Sequence, residues 1–123
     1  MVRNSAVGRY GEDVACRFLQ SNGITVVARN WRCPQGELDI VAVDGTTLVV
    51  CEVKTRTGDR CGSPAEAVTP DKVRRLRRLA VIWLRHARSA GSETRYSGLR
   101  VDVLAVARPV RGAARVHHLR GVE

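Results

Sequence analysis

The stretch GELDIVAVDGTTLVVCEVKT, residues 36–55, decides the fold and frames the chemistry. Two runs rich in β-branched residues flank Asp44-Gly45, a strong hairpin signal, so residues 37–43 and 47–55 read as neighbouring antiparallel strands. Residues two apart on a strand share a face. Glu37 therefore points with Asp39, and Glu52 with Lys54. Two registers are open. A loop of Asp44-Gly45 sets Glu37 opposite Glu52 with Asp39 on the diagonal, whereas a loop of Gly45-Thr46 sets Asp39 opposite Glu52. Either register collects Glu37, Asp39, Glu52 and Lys54 on one face, and a one-residue bulge would part them.

Directly opposed carboxylates, about 5 Å apart at Cβ, destabilise a sheet unless a positive charge lies between them. Covering the sheet raises that cost, because the charges leave water. A divalent cation resolves the conflict. Hard oxygen ligands with no neighbouring His or Cys point to Mg²⁺ or Mn²⁺ rather than zinc. Lys54 stands where an ammonium can hold a phosphate or orient a metal-bound hydroxide.

Around this hairpin, residues 5–20 carry Val7, Tyr10, Val14 and Phe18 at helical spacing, and Ser21-Asn22-Gly23 ends that helix. Glu12 lies beside the Ala15 and Leu19 edge of the stripe, where it can turn toward the sheet. Residues 24–31 (ITVVARNW) read as the first strand. Residues 56–68 lack a period and read as loop. Thr69-Pro70 opens a second helix that runs to about Arg88. Residues 99–107 form a fourth strand, and residues 116–119 a short edge strand. The order is αβββαβ(β), an α/β fold in one domain over residues 1–123, with a sheet covered on both sides.

The second helix is strongly basic. From Lys72 to Ser92 there is no acid, while Lys72, Arg74, Arg75, Arg77, Arg78, Arg85 and Arg88 fall within it. Solvated helix faces normally interleave acids with bases. A face that repels itself is expected where a polyanion supplies the missing charge. Lys72 sits in the first turn, where the helix dipole disfavours a cation unless phosphate docks on the free amides.

Composition agrees with that reading. The chain of 123 residues has a net charge of +9 and 44% apolar residues. Its 21 basic residues comprise 19 Arg and only Lys54 and Lys72 as lysines. No apolar run approaches a membrane span, and no secretory signal is visible, so a cytoplasmic location is expected. Cys16, Cys33, Cys51 and Cys61 form no C-x-x-C pair and read as reduced packing thiols. Most of the few aromatics fall on apolar positions, which disfavours a platform for stacking single-stranded bases. His117 and His118 read as edge-strand residues.

The layout Glu12, Asp39, Glu52-Val53-Lys54 resembles the PD-(D/E)XK nuclease superfamily, whose restriction-endonuclease-like core is αβββαβ with a central mixed sheet flanked by helices. More closely, the chain resembles the bacterial YraN family, related to Holliday junction resolvases. The segments that carry this are GRYGEDVACRFL, ARNWRCPQGELDIVAVDG, LVVCEVKTR, GSPAEAVTPDKVRRL and RVDVLAV. The resemblance implies metal-binding acids at Asp39 and Glu52 and a lysine that positions the attacking water at Lys54. It also implies a helix-borne catalytic acid at Glu12 and an accessory ligand at Glu37. Leu38 replaces the proline usual before the first acid. The expected function is a metal-dependent endonuclease acting on DNA, of branched or distorted form, with RNA left open. Lys72, Arg74, Arg75, Arg78 and Arg56 are the expected nucleic-acid contacts. A homodimer would be needed to cut both strands. The alternative is a non-catalytic nucleic-acid-binding module with a relic site.

Overall fold

A computed structural model describes residues 6–58 and 68–123. The order is α1 (Ala6–Ser21), β1 (Thr25–Cys33), β2 (Gly36–Asp44), β3 (Thr47–Thr57), α2 (Pro70–Ser89), β4 (Gly98–Arg108) and β5 (Arg115–Leu119). The strands form one sheet in chain order, antiparallel except for β3 and β4, which run parallel. The fold is therefore α/β with the expected αβββαβ order and a mixed sheet. Part of the predicted 56–68 loop, with Cys61, lies outside the described residues, and β3 extends to Thr57. No helix among the described residues is long and apolar enough to cross a membrane.

The sheet separates two cores. On one face α1 lays Ala15, Cys16 and Leu19 over Ile40, Ala42, Val49, Cys51, Val53, Leu104 and Val106. On the other, α2 lays Val73, Leu76, Leu79 and Ala80 over Leu38, Val41, Leu48, Val50 and Val101. Cover on both sides holds for β2, β3 and β4. β1 differs from the expectation: it is an edge strand with no fully buried residue, and Val27 is 46% exposed. Cys16, Cys33 and Cys51 are free thiols.

Local chemistry fixes the helix ends. Gly23 takes φ +78°, Ile24 N–H donates to Leu19 O, and Gly23 N–H donates to Gln20 O. This closes α1 with paired carbonyls and drops buried Ile24 into the core. At α2, the Thr69 hydroxyl caps the Lys72 amide, and Pro70 fills a position whose amide would lack a helical partner. Glycine at position 11 lets α1 sit hard against β3, since a Cβ there would lie 1.7 Å from Thr55 Oγ1. That close approach fixes the depth of neighbouring Glu12.

The register resolves the open choice. Asp44 pairs with Thr47, so Gly45-Thr46 is the loop. The β2–β3 ladder then runs inward to Ile40 and Cys51 and stops, although both strands continue. β3 stays paired with β4 to Thr57, and β2 stays paired with β1 to Gly36. The sheet therefore forks between β2 and β3.

Two irregularities bend the β1–β2 arm. β1 has a bulge between Val26 and Ala28, and Asn30 takes φ +52°, a left-handed conformation that asparagine tolerates better than most residues. Beyond them Trp31, Cys33 and Leu38 all pack into the α2 core. Leu38 has the same parity as Ile40 and Ala42, which face α1. The arm has rolled toward α2 and away from β3.

Candidate active site at the fork

Asp39 lies one step past the last β2–β3 pair and is 2% exposed. Val53 N–H, which no longer meets a β2 carbonyl in that ladder, donates to Asp39 Oδ2 at 2.9 Å. A charge-assisted bond of this kind offsets part of the cost of burying the carboxylate. Glu52 lies on β3 at the matching position, on the face of Leu48 and Val50. A pocket of about 210 Å³ opens there, lined by Glu37, Asp39, Glu52, Lys72, Arg75 and Leu76.

Three acids of the hairpin thus share one pocket with two cations from α2. Lys72 Nζ stands 2.5 Å from Glu52 Oε2. Arg32 Nε lies 3.2 Å from Glu37 Oε2, a cross-strand pair on the β1–β2 arm. Lys54 shares the parity of Glu52 but is exposed and does not line the pocket. The ammonium within reach of Glu52 is therefore that of Lys72. Among the first-turn amides, that of Lys72 already has a partner, since Thr69 Oγ1 accepts from it at 3.1 Å.

Glu12 is buried at 5% exposure on α1, with its Oε1 4.0 Å from Arg29 of β1. It belongs to the α1 side of the sheet and is not among the pocket lining. Arg29 donates more closely to Asp13, at 2.7 Å.

The pocket lining supplies carboxylate oxygens with no cysteine or histidine, a donor set that suits a hard divalent cation. Among the described residues, no three His, Cys, Asp or Glu side chains group closely enough to cage a metal by themselves. Mg²⁺ does not require such a cage. It commonly takes one or two carboxylates and completes its shell with water and phosphate oxygens. Asp39 and Glu52 are the lining carboxylates that could supply that smaller set, and the Lys72 ammonium already sits on Glu52 as a cation.

The pocket borders a basic surface. Thr69, Asp71, Lys72, Arg74, Arg75 and Arg78 line an adjoining depression of about 450 Å³, sharing Lys72 and Arg75 with the acidic pocket. Arg74, Arg75, Arg77, Arg78, Arg85 and Arg88 lie along the same helix, and all six are exposed. Asp71 partly neutralises the first turn by pairing with Arg74. Arg56 is exposed near the end of β3, outside this depression.

Sequence reasoning missed a second polar cluster. Asp102, at 0% exposure, accepts from Arg100 through both oxygens, at 2.9 and 3.0 Å. Gly121 N–H donates to its Oδ1, and His118 Nε2 lies 2.7 Å from its Oδ2. Arg100 also reaches Asp44 at 3.0 Å. Burial pushes the Asp102 carboxyl up, but the bonds from His118, Arg100 and Gly121 outweigh it, so its pKa is lowered. The signal was present, since Asp102 interrupts the apolar run RVDVLAV as Asp39 and Glu52 interrupt theirs.

A family model described as Uncharacterised protein family UPF0102 matches residues 11–106. The chain is 55% identical over 122 residues to a UPF0102 protein of Beutenbergia cavernae, covering 99% of each. It is 52% identical over 123 residues to one of Streptomyces coelicolor, covering 99% of this chain and 92% of that one. Among solved structures it is similar to Hjc, a Holliday junction resolvase of Archaeoglobus fulgidus. The TM-score is 0.42 and the identity 20%, covering 91% of this chain and 85% of that one.

Proposed function

We propose that this chain, which belongs to the UPF0102 (YraN) family, is a metal-dependent endonuclease that hydrolyses phosphodiester bonds of DNA. One observation carries the reading. Asp39 and Glu52 line one pocket at the fork of the sheet, and that pocket adjoins a basic depression on α2. An anionic pocket on an otherwise cationic surface suits a substrate that is itself a polyanion and must bring its phosphate to a metal.

Asp39 and Glu52 would hold Mg²⁺ or Mn²⁺, with Glu37 as an accessory ligand. When bound, the ion would supply Lewis acidity and a more acidic water. Val53 N–H fixes the Asp39 carboxylate, so that ligand needs little reorganisation. Lys54, exposed on the Glu52 face, would orient the attacking water. Glu12 would act from the α1 side as the helix-borne acid. Lys72, Arg74, Arg75 and Arg78 would hold backbone phosphates next to the pocket, and Arg56 would extend that surface along β3. One such site cuts one strand, so double-strand cutting would require two copies of the chain.

The test is cleavage of labelled linear duplex, single-stranded and four-way DNA with Mg²⁺ or Mn²⁺, beside Asp39→Asn and Lys54→Ala. Cutting by the wild type that both variants lose supports the proposal. Tight binding by all three proteins with no cutting under either metal overturns it in favour of a non-catalytic DNA-binding module.

A further inference from the structure

Lys72 lines both the acidic and the basic depression and forms a direct ion pair with a carboxylate of the hairpin. We propose that it is a displaceable counter-ion: its ammonium leaves Glu52 when a divalent cation binds and moves onto a phosphate of the nucleic acid. Metal and DNA would then bind cooperatively. The inference rests on the endonuclease reading and deepens it by naming how the site is regulated.

The argument is one of charge. Lys72 Nζ stands 2.5 Å from Glu52 Oε2, inside a pocket that also holds Glu37 and Asp39. A cation taking Glu52 as ligand must compete with that ammonium, which weakens metal binding to the free protein. Once displaced, the ammonium would stand near a divalent charge, and a phosphate anion beside it would offset that repulsion. The side chain is 38% exposed, so its end can swing without unpacking the core. Its backbone need not move, because Thr69 Oγ1 anchors the Lys72 amide. The depression that would receive it is lined by Arg74, Arg75 and Arg78, so a docked phosphate lies within the same basic surface. Linkage makes the effect reciprocal: DNA tightens metal binding by the factor by which metal tightens DNA binding.

Lys72 is thus a positioning residue that acts through Glu52 and the phosphate, and binding measurements isolate it from the chemistry. Mn²⁺ affinity would be measured by electron paramagnetic resonance for the full chain, with and without a short DNA duplex. Wild-type protein is expected to bind Mn²⁺ on the order of tenfold tighter with DNA present. Lys72→Met keeps the aliphatic stem but removes the charge. It is expected to bind Mn²⁺ on the order of tenfold tighter than wild type without DNA, and to lose most of the coupling. Lys72→Arg, which keeps a cation, should retain the coupling. Thermal melting of each variant separates a folding defect from a binding effect. Equal Mn²⁺ affinity for Lys72→Met and wild type, with both folded, overturns the counter-ion role and leaves the endonuclease reading standing. No Mn²⁺ binding by any form, with or without DNA, overturns both.

Discussion

Asp39 and Asp102 are both buried in the same sheet, 2% and 0% exposed, yet the groups around them differ. Asp102 lies beside Cys51, where β3 and β4 remain paired, and receives Arg100, His118 and Gly121 N–H on its two oxygens. Its charge is met from within the chain. Asp39 lies where β2 and β3 have parted, in a pocket shared with two further carboxylates and opening on a basic surface. The contrast separates a buried acid enclosed by fixed partners from one that lines an open pocket and that the proposed function makes a metal ligand. Burial alone would not tell them apart.

The strongest way to break that contrast is to remove each charge in turn. Asp39→Asn keeps an oxygen for Val53 N–H, so the protein should fold and melt near the wild type. Cleavage should fall about a thousandfold, roughly 4 kcal/mol of barrier. Asp102→Asn should do the opposite. It sets an NH₂ against donors and removes the carboxylate that Arg100 and His118 share, leaving Arg100 with Asp44 alone, at a cost of about 3–5 kcal/mol of folding stability. Urea denaturation and a DNA cleavage assay on both variants decide the matter. If Asp39→Asn unfolds while Asp102→Asn melts normally and loses cutting, the assignment is reversed.

A smaller effect sharpens the comparison from the α1 side. Glycine 11 presses against Thr55, and an added Cβ would meet the Thr55 side chain at 1.7–2.9 Å. Gly11→Ala should lift α1 from β3 at a cost of about 1–3 kcal/mol. Asp102 should be little disturbed, because its partners come from β4, β5 and the turn that follows. Denaturant melts and the Gly121 amide resonance report the two effects separately, whereas the His118 ring would not, since Phe18 of α1 packs edge-on against it. A large change in the Gly121 amide would mean that the clusters are mechanically linked.

The fold was legible in residues 36–55 because strand alternation and the hairpin turn need only local rules. Those rules left the register open between two loops, and the structure pairs Asp44 with Thr47. The fork was not legible. It depends on Asn30 adopting φ +52° and on Trp31 and Leu38 docking against α2, which are long-range choices. The acids of the hairpin could be read as a group, but not the amine that reaches them: strand parity pointed to Lys54, whereas Lys72 arrives from a helix 20 positions later than Glu52 in the sequence. Asp102 was missed for a similar reason: Arg100 lies two residues away on the same strand, but His118 and Gly121 reach it only when β4 and β5 pair.

A binding measurement tests the basic surface more gently. Deleting one side chain that neutralises a phosphate should reduce the slope of log affinity against log salt by about 0.9 for duplex DNA. Arg78→Ala, altered within the basic depression, should show that reduction. Arg100→Ala should leave the slope unchanged, because its guanidinium is committed to Asp102 and Asp44. A slope altered by Arg100 rather than Arg78 would move the DNA interface to the opposite end of the sheet.

The smallest effect is the pH dependence of the closed cluster, and its sign follows from linkage. The folded pKa of Asp102 lies below the ordinary value of 3.8, because the bonds from His118, Arg100 and Gly121 outweigh burial. Between the two values the unfolded chain binds the proton and the folded chain does not, so acid favours unfolding there. The stabilisation is complete above the ordinary carboxyl range and is lost as pH falls through the lowered folded pKa. Asn cannot titrate in this way. The stability gap between wild type and Asp102→Asn should therefore be widest near neutral pH and close progressively below about pH 4. Other carboxylates contribute to both proteins and cancel in the difference. A gap that stays constant down to about pH 3 would show that Asp102 is retained for its shape, and the charge contrast with Asp39 would then fail at its structural end.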